Sequence, residues 1–339
     1  MSLRVQQDVS LKPFNTLGVE VNARWFAEAH NDADVREALA EAQRLGVPLQ
    51  VIGGGSNLLL TRDLEVLVLR MLSKGVRVLE EQGGQLLIEA EAGEPWHPFV
   101  LWTLEQGLQG LENLSLIPGT VGAAPMQNVG AYGVEIKDRF AGLTALDRKT
   151  GELREFQLDE CQFDYRDSRF KREPDRWLIL RVRFFLERAA ALHLDYGPVR
   201  QRLTEMGIAN PSAVDVSSAI CSIRSEKLPD PAQLGNAGSF FKNPLVSKAL
   251  ADELRQQYPD LVAYPVAGGQ VKLAAGWLIE KAGWKGFREG DAGVHRFQAL
   301  VLVNYGEASG QEILALARRI QADILARFRV VLEMEPNLL

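Results

Sequence analysis

The first sixty residues alternate between strand-like and helix-like hydrophobic patterns. Residues 24–29 favour a strand, and Asn31 or Asp32 then offers a side chain that can cap a helix. Apolar side chains recur after this cap at the spacing of one helical face: Val35, Leu39, Ala42 and Leu45. Gly46 ends the helix, and residues 49–52 form a second strand. The pattern therefore predicts a strand–helix–strand unit that leads directly into a glycine-rich loop.

The middle of the chain is richer in strand patterns. Short apolar runs predict strands over residues 58–60, 66–69, 86–90, 143–146, 153–156 and 177–185. Helices are predicted over residues 95–106, near 198–206 and near 216–225. Strands and helices mixed in this way indicate an α+β protein.

A domain boundary is expected near Leu228–Pro231, where two prolines fall within four residues. Beyond it, the pattern predicts a helix over 271–282 and a strand over 299–304. Ser309 and Glu312 form a capping box ahead of a long helix over 311–328. A closing strand is predicted over 330–335, and a chain of 339 residues suits two or three domains.

Composition narrows the functional class. The 339 residues carry a formal net charge of −6, which argues against a nucleic-acid partner. Cys161 and Cys221 are too far apart for a metal motif, and the four histidines show no ligand spacing, so we expect neither a disulfide framework nor a metal. The sequence offers no signal-peptide core and no apolar run of about 18 residues, so we expect a soluble, cytoplasmic protein without a membrane partner.

Residues 117–133 are the most informative segment. They read IPGTVGAAPMQNVGAYG, a run of small side chains that makes a poor helix and a poor strand. Small residues let backbone N–H groups approach a phosphate or a flat ring. The plain alternative is a tight loop between two strands. We call residues 117–133 the glycine ribbon.

Residues 53–57 (GGGSN) form a second glycine-rich loop, which follows a predicted strand. This loop is not a Rossmann fingerprint, because Leu58 occupies the position of the third glycine and no helix follows. It also lacks the Gly-Lys-Ser/Thr of a P-loop. Together with the glycine ribbon, it could supply the two surfaces that a dinucleotide needs, a pyrophosphate cradle and a platform for a flat ring.

Five segments resemble the UDP-N-acetylenolpyruvoylglucosamine reductase family. They are NTLG at 15–18, the GGGSN loop at 53–57, the glycine ribbon at 117–133, YRDS at 165–168 and GNAGSFFKNP at 235–244. The resemblance implies an α+β chain with a vanillyl-alcohol-oxidase/PCMH-type FAD-binding fold and a C-terminal substrate-binding domain. It further implies a first FAD-binding subdomain over 1–72 joined by a returning strand at 330–339, a second over 73–227, and a substrate-binding domain over 228–329.

The same resemblance implies a reaction. The family uses FAD and NADPH to reduce the enolpyruvyl group of UDP-N-acetylglucosamine enolpyruvate, which gives UDP-N-acetylmuramate for peptidoglycan synthesis. Hydride passes from NADPH to flavin N5 and then to C3 of the enolpyruvyl group, and a proton is added at C2. The flavin carries the redox step, while the protein binds, orients and protonates.

The catalytic roles in this family match three residues. Arg166 would hold the substrate carboxylate, Ser239 would donate the proton to C2, and Glu335 would act with Arg166 on the enolate. Glu333 lies two residues before Glu335 and would face the same side of a strand, so the sequence leaves some ambiguity between these two carboxylates.

Binding residues are implied in the same way. The positions that match the FAD site are Gly53, Gly54, Gly55, Ser56, Asn57, Pro118, Gly119, Thr120, Gly122, Ala123, Gln127, Asn128, Gly130 and Ala131. Substrate contacts would come from Tyr132, Lys227, Asn243 and Gln298. Tyr196 matches a tyrosine on a loop that clamps the diphosphate, which indicates the Tyr-loop (type I) subtype.

Two other functions fit parts of the sequence. Another flavin oxidase or dehydrogenase of the same fold would explain the glycine loops, but not Lys227, Tyr196 and the 235–244 segment. A UDP-sugar binding module without chemistry would be colourless. An oxidase would consume oxygen with an alcohol, whereas the reductase would consume NADPH only with the enolpyruvyl sugar.

Overall fold

The computed structural model describes residues 3–339, apart from the side chain of residue 267. The helices are α1 (Asp32–Leu45), α2 (Trp96–Glu105), α3 (Leu158–Cys161), α4 (Arg169–Arg172), α5 (Gly197–Glu205), α6 (Ala213–Lys227), α7 (Lys248–Gln257), α8 (Ala275–Lys281) and α9 (Gly310–Phe328). Short 3-10 helices lie at Lys12–Phe14, Glu112–Leu114, Val121–Gln127, Ile136–Asp138 and Ala267–Gly269.

The strands are β1 (Gln6–Ser10), β2 (Asn22–Ala29), β3 (Leu49–Ile52), β4 (Leu58–Leu59), β5 (Leu64–Met71), β6 (Val76–Gln82), β7 (Gln85–Glu91), β8 (Gly130–Ala131), β9 (Val134–Glu135), β10 (Phe140–Asp147), β11 (Leu153–Phe156), β12 (Trp177–Glu187), β13 (Gly235–Asn236), β14 (Leu245–Ser247), β15 (Ala263–Pro265), β16 (Gln270–Leu273), β17 (Arg288–Glu289), β18 (Ala292–Val294), β19 (Leu302–Asn304) and β20 (Asn337–Leu338). The mixture of helices and mainly antiparallel sheets is an α+β architecture, as the sequence predicts.

The chain divides into two compact units. Unit 1 contains the residues up to Val9, Ala23–Gly54 and Glu65–Glu226. Unit 2 contains Ser10–Asn22, Gly55–Leu64 and Lys227–Leu339. The three-domain division stays a prediction, and the first two residues of its 1–72 segment lie outside the described residues.

Unit 1 contains two larger sheets and the pair β8-β9. One has the strand order β1-β2-β5-β3, with β3 and β5 parallel, and the other has the order β11-β10-β12-β7-β6. Helix α1 forms as predicted: the Asn31 side chain accepts the N–H of Asp34, and Gly46 ends the helix at φ 68°. The apolar stripe of α1 packs into a core that includes Leu67 and Leu69 of β5. A second core lies around the longer sheet and contains Trp96, Phe99 and Phe184.

Unit 2 contains the four-stranded sheet β13-β19-β18-β17, the three-stranded sheet β14-β16-β15 and the pair β20-β4. Helix α9 begins at the predicted capping box, in which the Ser309 hydroxyl accepts the N–H of Glu312 and the Glu312 carboxylate accepts the N–H of Ser309. Its buried stripe is the predicted one, with Ile313, Leu316, Ile320, Ile324 and Phe328 all at most 3% exposed.

Two predicted elements are wrong. The helix predicted over 271–282 is strand β16 followed by the shorter helix α8. In β16, Val271 and Leu273 are buried while Gln270 and Lys272 are not, which is a period of two rather than a helical period. The strand predicted over 330–335 is an extended segment whose only bridge in the described chain joins Met334 to Phe241.

Several elements were missed, among them strands β1 and β6 and helix α7, and the glycine ribbon has more structure than expected. Strand β6 lies at a sheet edge with six of its seven residues exposed, so its sequence shows no alternation. Within the ribbon, Val121–Gln127 forms a 3-10 helix, and β8 pairs with β9. No helix in the described part of the chain is long and apolar enough to cross a membrane.

Candidate functional site

The GGGSN loop, which follows strand β3, has several backbone N–H groups that are available to a ligand. In the described chain, the N–H groups of Gly54, Gly55 and Ser56 donate to no protein acceptor. Gly55 is nevertheless buried and has φ 64°, and a Cβ at this position would lie 1.9 Å from the carbonyl oxygen of Phe14. Because a buried N–H needs a partner, these consecutive donors suit an anion such as a pyrophosphate.

The start of the glycine ribbon packs against the beginning of this loop inside unit 1. A Cβ at Gly54 would lie 2.9 Å from the Cα of Gly119, and one at Gly53 would lie 2.5 Å from Oγ1 of Thr120. The N–H groups of Gly119 and Thr120 also lack a protein acceptor in the described residues. At Gly54, glycine is required for the close approach of two main chains within unit 1.

The middle of the ribbon is held by the protein itself. The N–H of Gly122 donates to the carbonyl of Ala92, and a Cβ at Gly122 would lie 2.5 Å from the Cβ of Ala92. Asn128 is fully buried at φ 45°, and its amide donates to Glu135 at 2.8 Å and to the carbonyl of Asp164 at 3.2 Å. The side chain of Asn128 therefore stabilises the ribbon, although the sequence match places this residue in the FAD site.

The end of the ribbon is a tight hairpin. Strands β8 and β9 are joined by Tyr132 and Gly133, and both have positive φ, at 49° and 82°. A two-residue turn with both φ angles positive is the type I′ turn that matches the twist of a hairpin. The Tyr132 ring packs edge-on against Tyr196, with ring centroids 5.5 Å apart. The structure thus brings together two of the predicted substrate residues.

Arg166 lies on another tight turn of unit 1. Asp164 and Asp167 exchange backbone hydrogen bonds at 3.0 and 3.2 Å, and Arg166 between them has φ 54°. Its guanidinium donates to the carbonyl of Gly130 at 2.7 Å, where a Cβ would lie 3.3 Å from Nη1 of Arg166. The backbone of the YRDS motif therefore aims Arg166 at the ribbon.

In unit 2, Phe240 follows Ser239 in the chain and forms a backbone hydrogen bond with Glu335, so it links the two predicted catalytic residues. The N–H of Phe240 donates to the carbonyl of Leu300 at 2.8 Å, and the carbonyl of Phe240 accepts the N–H of Glu335 at 2.9 Å. Phe240 itself is completely buried, while Ser239 is exposed. A buried anchor beside an exposed hydroxyl gives Ser239 a fixed backbone and an accessible side chain.

The structure distinguishes the two candidate glutamates. Glu333 is exposed, and its carboxylate pairs with Nζ of Lys242 at 2.9 Å. Glu335 is half-buried, and its carbonyl accepts a 3.3 Å hydrogen bond from the amide of Asn57 in the GGGSN loop. The position of Glu335 next to Phe240 and Asn57 favours it over Glu333.

Asn243 and Gln298 meet at the first turn of α8 in unit 2. Oδ1 of Asn243 accepts the N–H of Ala275 at 2.9 Å, and a Cβ on Gly276 would lie 3.5 Å from Oε1 of Gln298. Oε1 of Gln298 also accepts the N–H of Leu300 at 3.4 Å, so both side-chain oxygens are used within the protein and both amide NH₂ groups are left as donors for a ligand. Lys227, the last residue of α6, is exposed.

Sequence reasoning missed four residues around the ribbon. The N–H of Leu116, whose φ is 57°, donates to Nδ1 of His97 at 3.0 Å, and its carbonyl accepts a 3.1 Å hydrogen bond from Nε of Arg224. The amide of Asn113 donates to the carbonyl of Tyr132 at 3.0 Å. None of the four belongs to a motif, and His97 and Arg224 are distant from Leu116 in sequence, so only tertiary structure reveals these contacts.

Burial and charge shift the pKa values of this group. Burial, reinforced by the charge of Arg224, lowers the pKa of His97. Burial raises the pKa of Tyr132 against the opposing effect of Arg224.

Cys161 and Cys221 are free thiols, and burial raises the pKa of Cys161 to about 12. Among the described residues, no group of His, Cys, Asp and Glu is arranged to hold a metal ion.

Comparison with known proteins gives two family matches. Residues 230–339 match the profile of the UDP-N-acetylenolpyruvoylglucosamine reductase C-terminal domain, and residues 23–157 match that of an FAD binding domain. A UDP-N-acetylenolpyruvoylglucosamine reductase from Pseudomonas fluorescens is 73% identical over 99% of each chain. One from Pseudomonas aeruginosa is 68% identical over 100% of each chain.

A solved structure agrees with these matches. The UDP-N-acetylenolpyruvylglucosamine reductase of Thermus caldophilus has a TM-score of 0.68 and 25% identity, and the similarity covers 99% of each chain. The FAD-binding fold of vanillyl-alcohol-oxidase type and the C-terminal domain beyond it are thereby confirmed.

The close approach of the two glycine segments can be tested by adding one methyl group. Gly54→Ala would push against the main chain at Gly119, and overpacking of this kind costs roughly 1–3 kcal/mol. We expect the dissociation constant of FAD, measured by titration of apoprotein, to rise about tenfold or more. Gly197→Ala is the matched control, because a Cβ there meets nothing within 4 Å. Unchanged affinity in Gly54→Ala would contradict this packing.

We expect the stability of the folded chain to depend on pH through His97. The bond from Leu116 needs a neutral His97, and the pKa of His97 is lower in the folded chain than its usual value of about 6.5. Above that value both states are neutral and the bond contributes fully. As the pH falls below it, the unfolded chain takes up a proton that the folded chain resists, so stability decreases.

His97→Asn removes this titration, so it is the comparison to make. We expect the difference in thermal midpoint between wild type and His97→Asn to shrink as the pH is lowered from about 7.5 to about 5. All other groups are the same in the two proteins, so their contributions cancel in this difference. A difference that stays constant over this range would show that His97 does not accept this hydrogen bond.

Proposed function

We propose that this chain, which belongs to the family of UDP-N-acetylenolpyruvoylglucosamine reductases, makes UDP-N-acetylmuramate and that the site residues predicted from its sequence perform the reaction. It is an FAD-dependent oxidoreductase that takes electrons from NADPH and reduces UDP-N-acetylglucosamine enolpyruvate for peptidoglycan synthesis. Identity to relatives over the whole chain supports the reaction, and the backbone contacts of Phe240 support the assignment of residues.

We assign the pyrophosphate of FAD to the free N–H groups of Gly54, Gly55, Ser56, Gly119 and Thr120. The hydride-transfer chemistry between NADPH and C3 of the enolpyruvyl group would be supplied by the bound FAD. The ribbon offers main chain rather than side chains, so a flat ring can lie close to it. The side-chain amide of Asn57 donates to the carbonyl of Glu335, and this hydrogen bond would hold the end of the GGGSN loop beside Glu335.

Arg166 is assigned to the substrate carboxylate. A guanidinium keeps its charge and can bind a carboxylate through two parallel hydrogen bonds. Its bond to the carbonyl of Gly130 and its turn conformation fix its direction before substrate arrives. Such a fixed cation stabilises the negative charge that develops on the carboxylate during reduction.

Ser239 is assigned as the proton donor to C2. Its hydroxyl is exposed while the adjacent Phe240 is anchored on both sides, which suits a group that must meet the substrate in one orientation. A serine hydroxyl is a weak acid, so it needs a substrate carbon that has already become strongly basic. Glu335 lies next to this anchor and is assigned, with Arg166, to the enolate.

The nucleotide part of the substrate requires other groups. We assign Lys227 to the diphosphate, where an exposed ammonium is a suitable point charge. Tyr196, exposed and in edge contact with Tyr132, is assigned as the clamp that covers the diphosphate. Asn243 and Gln298 present amide donors at the start of α8 and are assigned to the sugar or its enolpyruvyl group.

Two further assignments are part of the proposal. We assign residues 1–72 with 330–339 and residues 73–227 to FAD binding, and residues 228–329 to substrate binding. The pairing of β20 with β4 supports the return of the C-terminal segment to the end of the GGGSN loop. We also assign the enzyme to the cytoplasm, where its nucleotide substrate and NADPH are found.

The role of Ser239 can be tested by separating the two half-reactions. In Ser239→Ala we expect NADPH oxidation without sugar to stay near the wild-type rate. Loss of a general acid typically costs 10²–10⁴-fold, so consumption of the enolpyruvyl sugar should slow by about 10³-fold. Stopped-flow absorbance follows each half-reaction separately. Equal slowing of both would refute the assignment of Ser239 as proton donor.

Arg166→Lys tests the paired contact with the carboxylate. A lysine keeps the charge but loses the two-pronged geometry, and a hydrogen bond to a charged group is worth about 1.5–3 kcal/mol. We expect kcat/KM for the enolpyruvyl sugar to fall roughly 10- to 150-fold. Arg44→Lys, in an exposed pair with Glu41, serves as the control. Near-full turnover by Arg166→Lys would exclude the paired contact.

A further inference from the structure

We propose that Asn113 is a positioning residue that holds Tyr196 in place before the substrate binds. Asn113 belongs to the short 3-10 helix Glu112–Leu114 of unit 1 and is only 1% exposed. The inference rests on the proposed function of Tyr196 as the clamp over the substrate diphosphate. We call residues 192–196 the clamp segment, and Asn113 would act on the substrate only through it.

One side-chain amide joins two segments that are far apart in the chain. Nδ2 of Asn113 donates to the carbonyl of Tyr132 at 3.0 Å and to the carbonyl of His193, also at 3.0 Å. Tyr132 is in the turn that ends the hairpin of the glycine ribbon, and His193 lies three residues before Tyr196. An NH₂ group has two hydrogens, so it can serve both carbonyls at once. Asn113 therefore links the ribbon to the clamp segment.

The orientation of the Asn113 amide follows from these partners. Both are carbonyl oxygens, which only accept hydrogen bonds, so the reverse orientation would set Oδ1 against two other acceptors. Oδ1 itself is buried and accepts no hydrogen bond from a described residue. A buried polar group that is only partly bonded is a poor choice for packing alone. The two donated hydrogen bonds therefore explain an amide at this position better than packing does.

The backbone that follows Asn113 is held in place by buried contacts. Nε1 of Trp96 donates to the carbonyl of Leu114 at 2.9 Å, and the hydroxyl oxygens of Ser115 and Ser217 lie 2.7 Å apart in a hydrogen bond. Trp96, Leu114 and Ser115 are all at most 1% exposed. Asn113 thus presents its amide from a fixed position.

The clamp segment depends strongly on this amide. Leu192 and Leu194 pack against the apolar core of α5 and α6, which Tyr132 also contacts. Among the described residues, the hydrogen bond from Asn113 is the only one that reaches the backbone of residues 192–195. Apolar packing has little directional preference, whereas a hydrogen bond fixes direction. The contact with Asn113 therefore sets where the clamp segment leaves the core.

The direction of this segment decides the position of Tyr196. The rings of Tyr196 and Tyr132 meet edge-on, with their planes at 83°. Since Asn113 holds the backbone of Tyr132 and the segment that leads to Tyr196, it fixes the two tyrosines relative to each other. Without this link, fewer molecules would have Tyr196 in place, and the apparent affinity for substrate falls by that fraction. The reacting end of the substrate would not be affected.

The test is a separation of KM from kcat. Asn113→Leu removes both donors with a side chain of similar size. We expect KM for the enolpyruvyl sugar to rise about tenfold and kcat to stay within about twofold, because only the fraction of ordered clamp has changed. Flavin reduction by NADPH without sugar, followed by stopped-flow absorbance, should keep its wild-type rate. Asn210→Leu, the same change at an exposed asparagine, should match wild type throughout.

A parallel fall in the NADPH half-reaction would show that Asn113 supports the ribbon in general, and it would overturn the inference. A wild-type KM in Asn113→Leu would overturn it as well. Should Asn113→Leu fail to fold, Asn113→Ala, which removes the same donors with a smaller side chain, is measured in its place.

Tyr196→Ala provides the decisive comparison. If Asn113 acts through the clamp, adding Asn113→Leu to Tyr196→Ala should raise KM by less than about twofold. Fully additive losses would contradict action through Tyr196. If Tyr196→Ala alone leaves KM unchanged, the proposed clamp is refuted, and the inference about Asn113 is refuted with it. A raised KM in Tyr196→Ala with a wild-type KM in Asn113→Leu would refute the inference alone.

Discussion

The structure depends on a close approach between two main chains. In unit 1, the backbone at Gly53 and Gly54 lies against Gly119 and Thr120, with no room for a Cβ at either glycine. This contact fixes the start of the ribbon, while buried Asn128 and the 3-10 helix fix its middle. Several N–H groups are left without acceptors among the described residues, so they are available to hydrogen-bond a ligand. The glycines thus trade conformational freedom for a surface made of backbone donors.

Unit 2 positions its reactive groups differently, through a buried aromatic residue. The backbone of Phe240 is hydrogen-bonded to Leu300 and to Glu335, and its ring is buried, so the buried Phe240 fixes the backbone next to Ser239 and at Glu335. Asn57, at the end of the GGGSN loop, bonds the carbonyl of Glu335. The cofactor loop and a proposed catalytic carboxylate are therefore linked within this unit. Ser239 is exposed and Glu335 is half-buried, while Phe240 carries the packing.

Local signals in the sequence predict the elements well where capping and periodicity agree. Helices α1 and α9 begin at the predicted caps because Asn31 and Ser309 satisfy the first N–H groups of the helix. The helix predicted over 271–282 was wrong at its start. Strand β16, whose residues alternate in burial, runs directly into the apolar helix α8, so the combined run looks helical. Residues 330–335 alternate in burial but form an isolated β-bridge instead of a continuous β-ladder. The local sequence pattern is the same in both cases, so it cannot distinguish them. Arg224, His97 and Asn113 could not be predicted, because their partners are far away in sequence.

The central claim is that the glycine ribbon exists to receive FAD on its main chain, and amide hydrogen exchange tests it most directly. The measurement compares exchange in apoprotein and FAD-saturated protein, with peptides that cover the GGGSN loop and residues 117–133. The account predicts that FAD slows exchange in both segments, most strongly at Gly54–Ser56 and Gly119–Thr120, where no protein acceptor is present. Tight binding of FAD with unchanged exchange in both segments would contradict it.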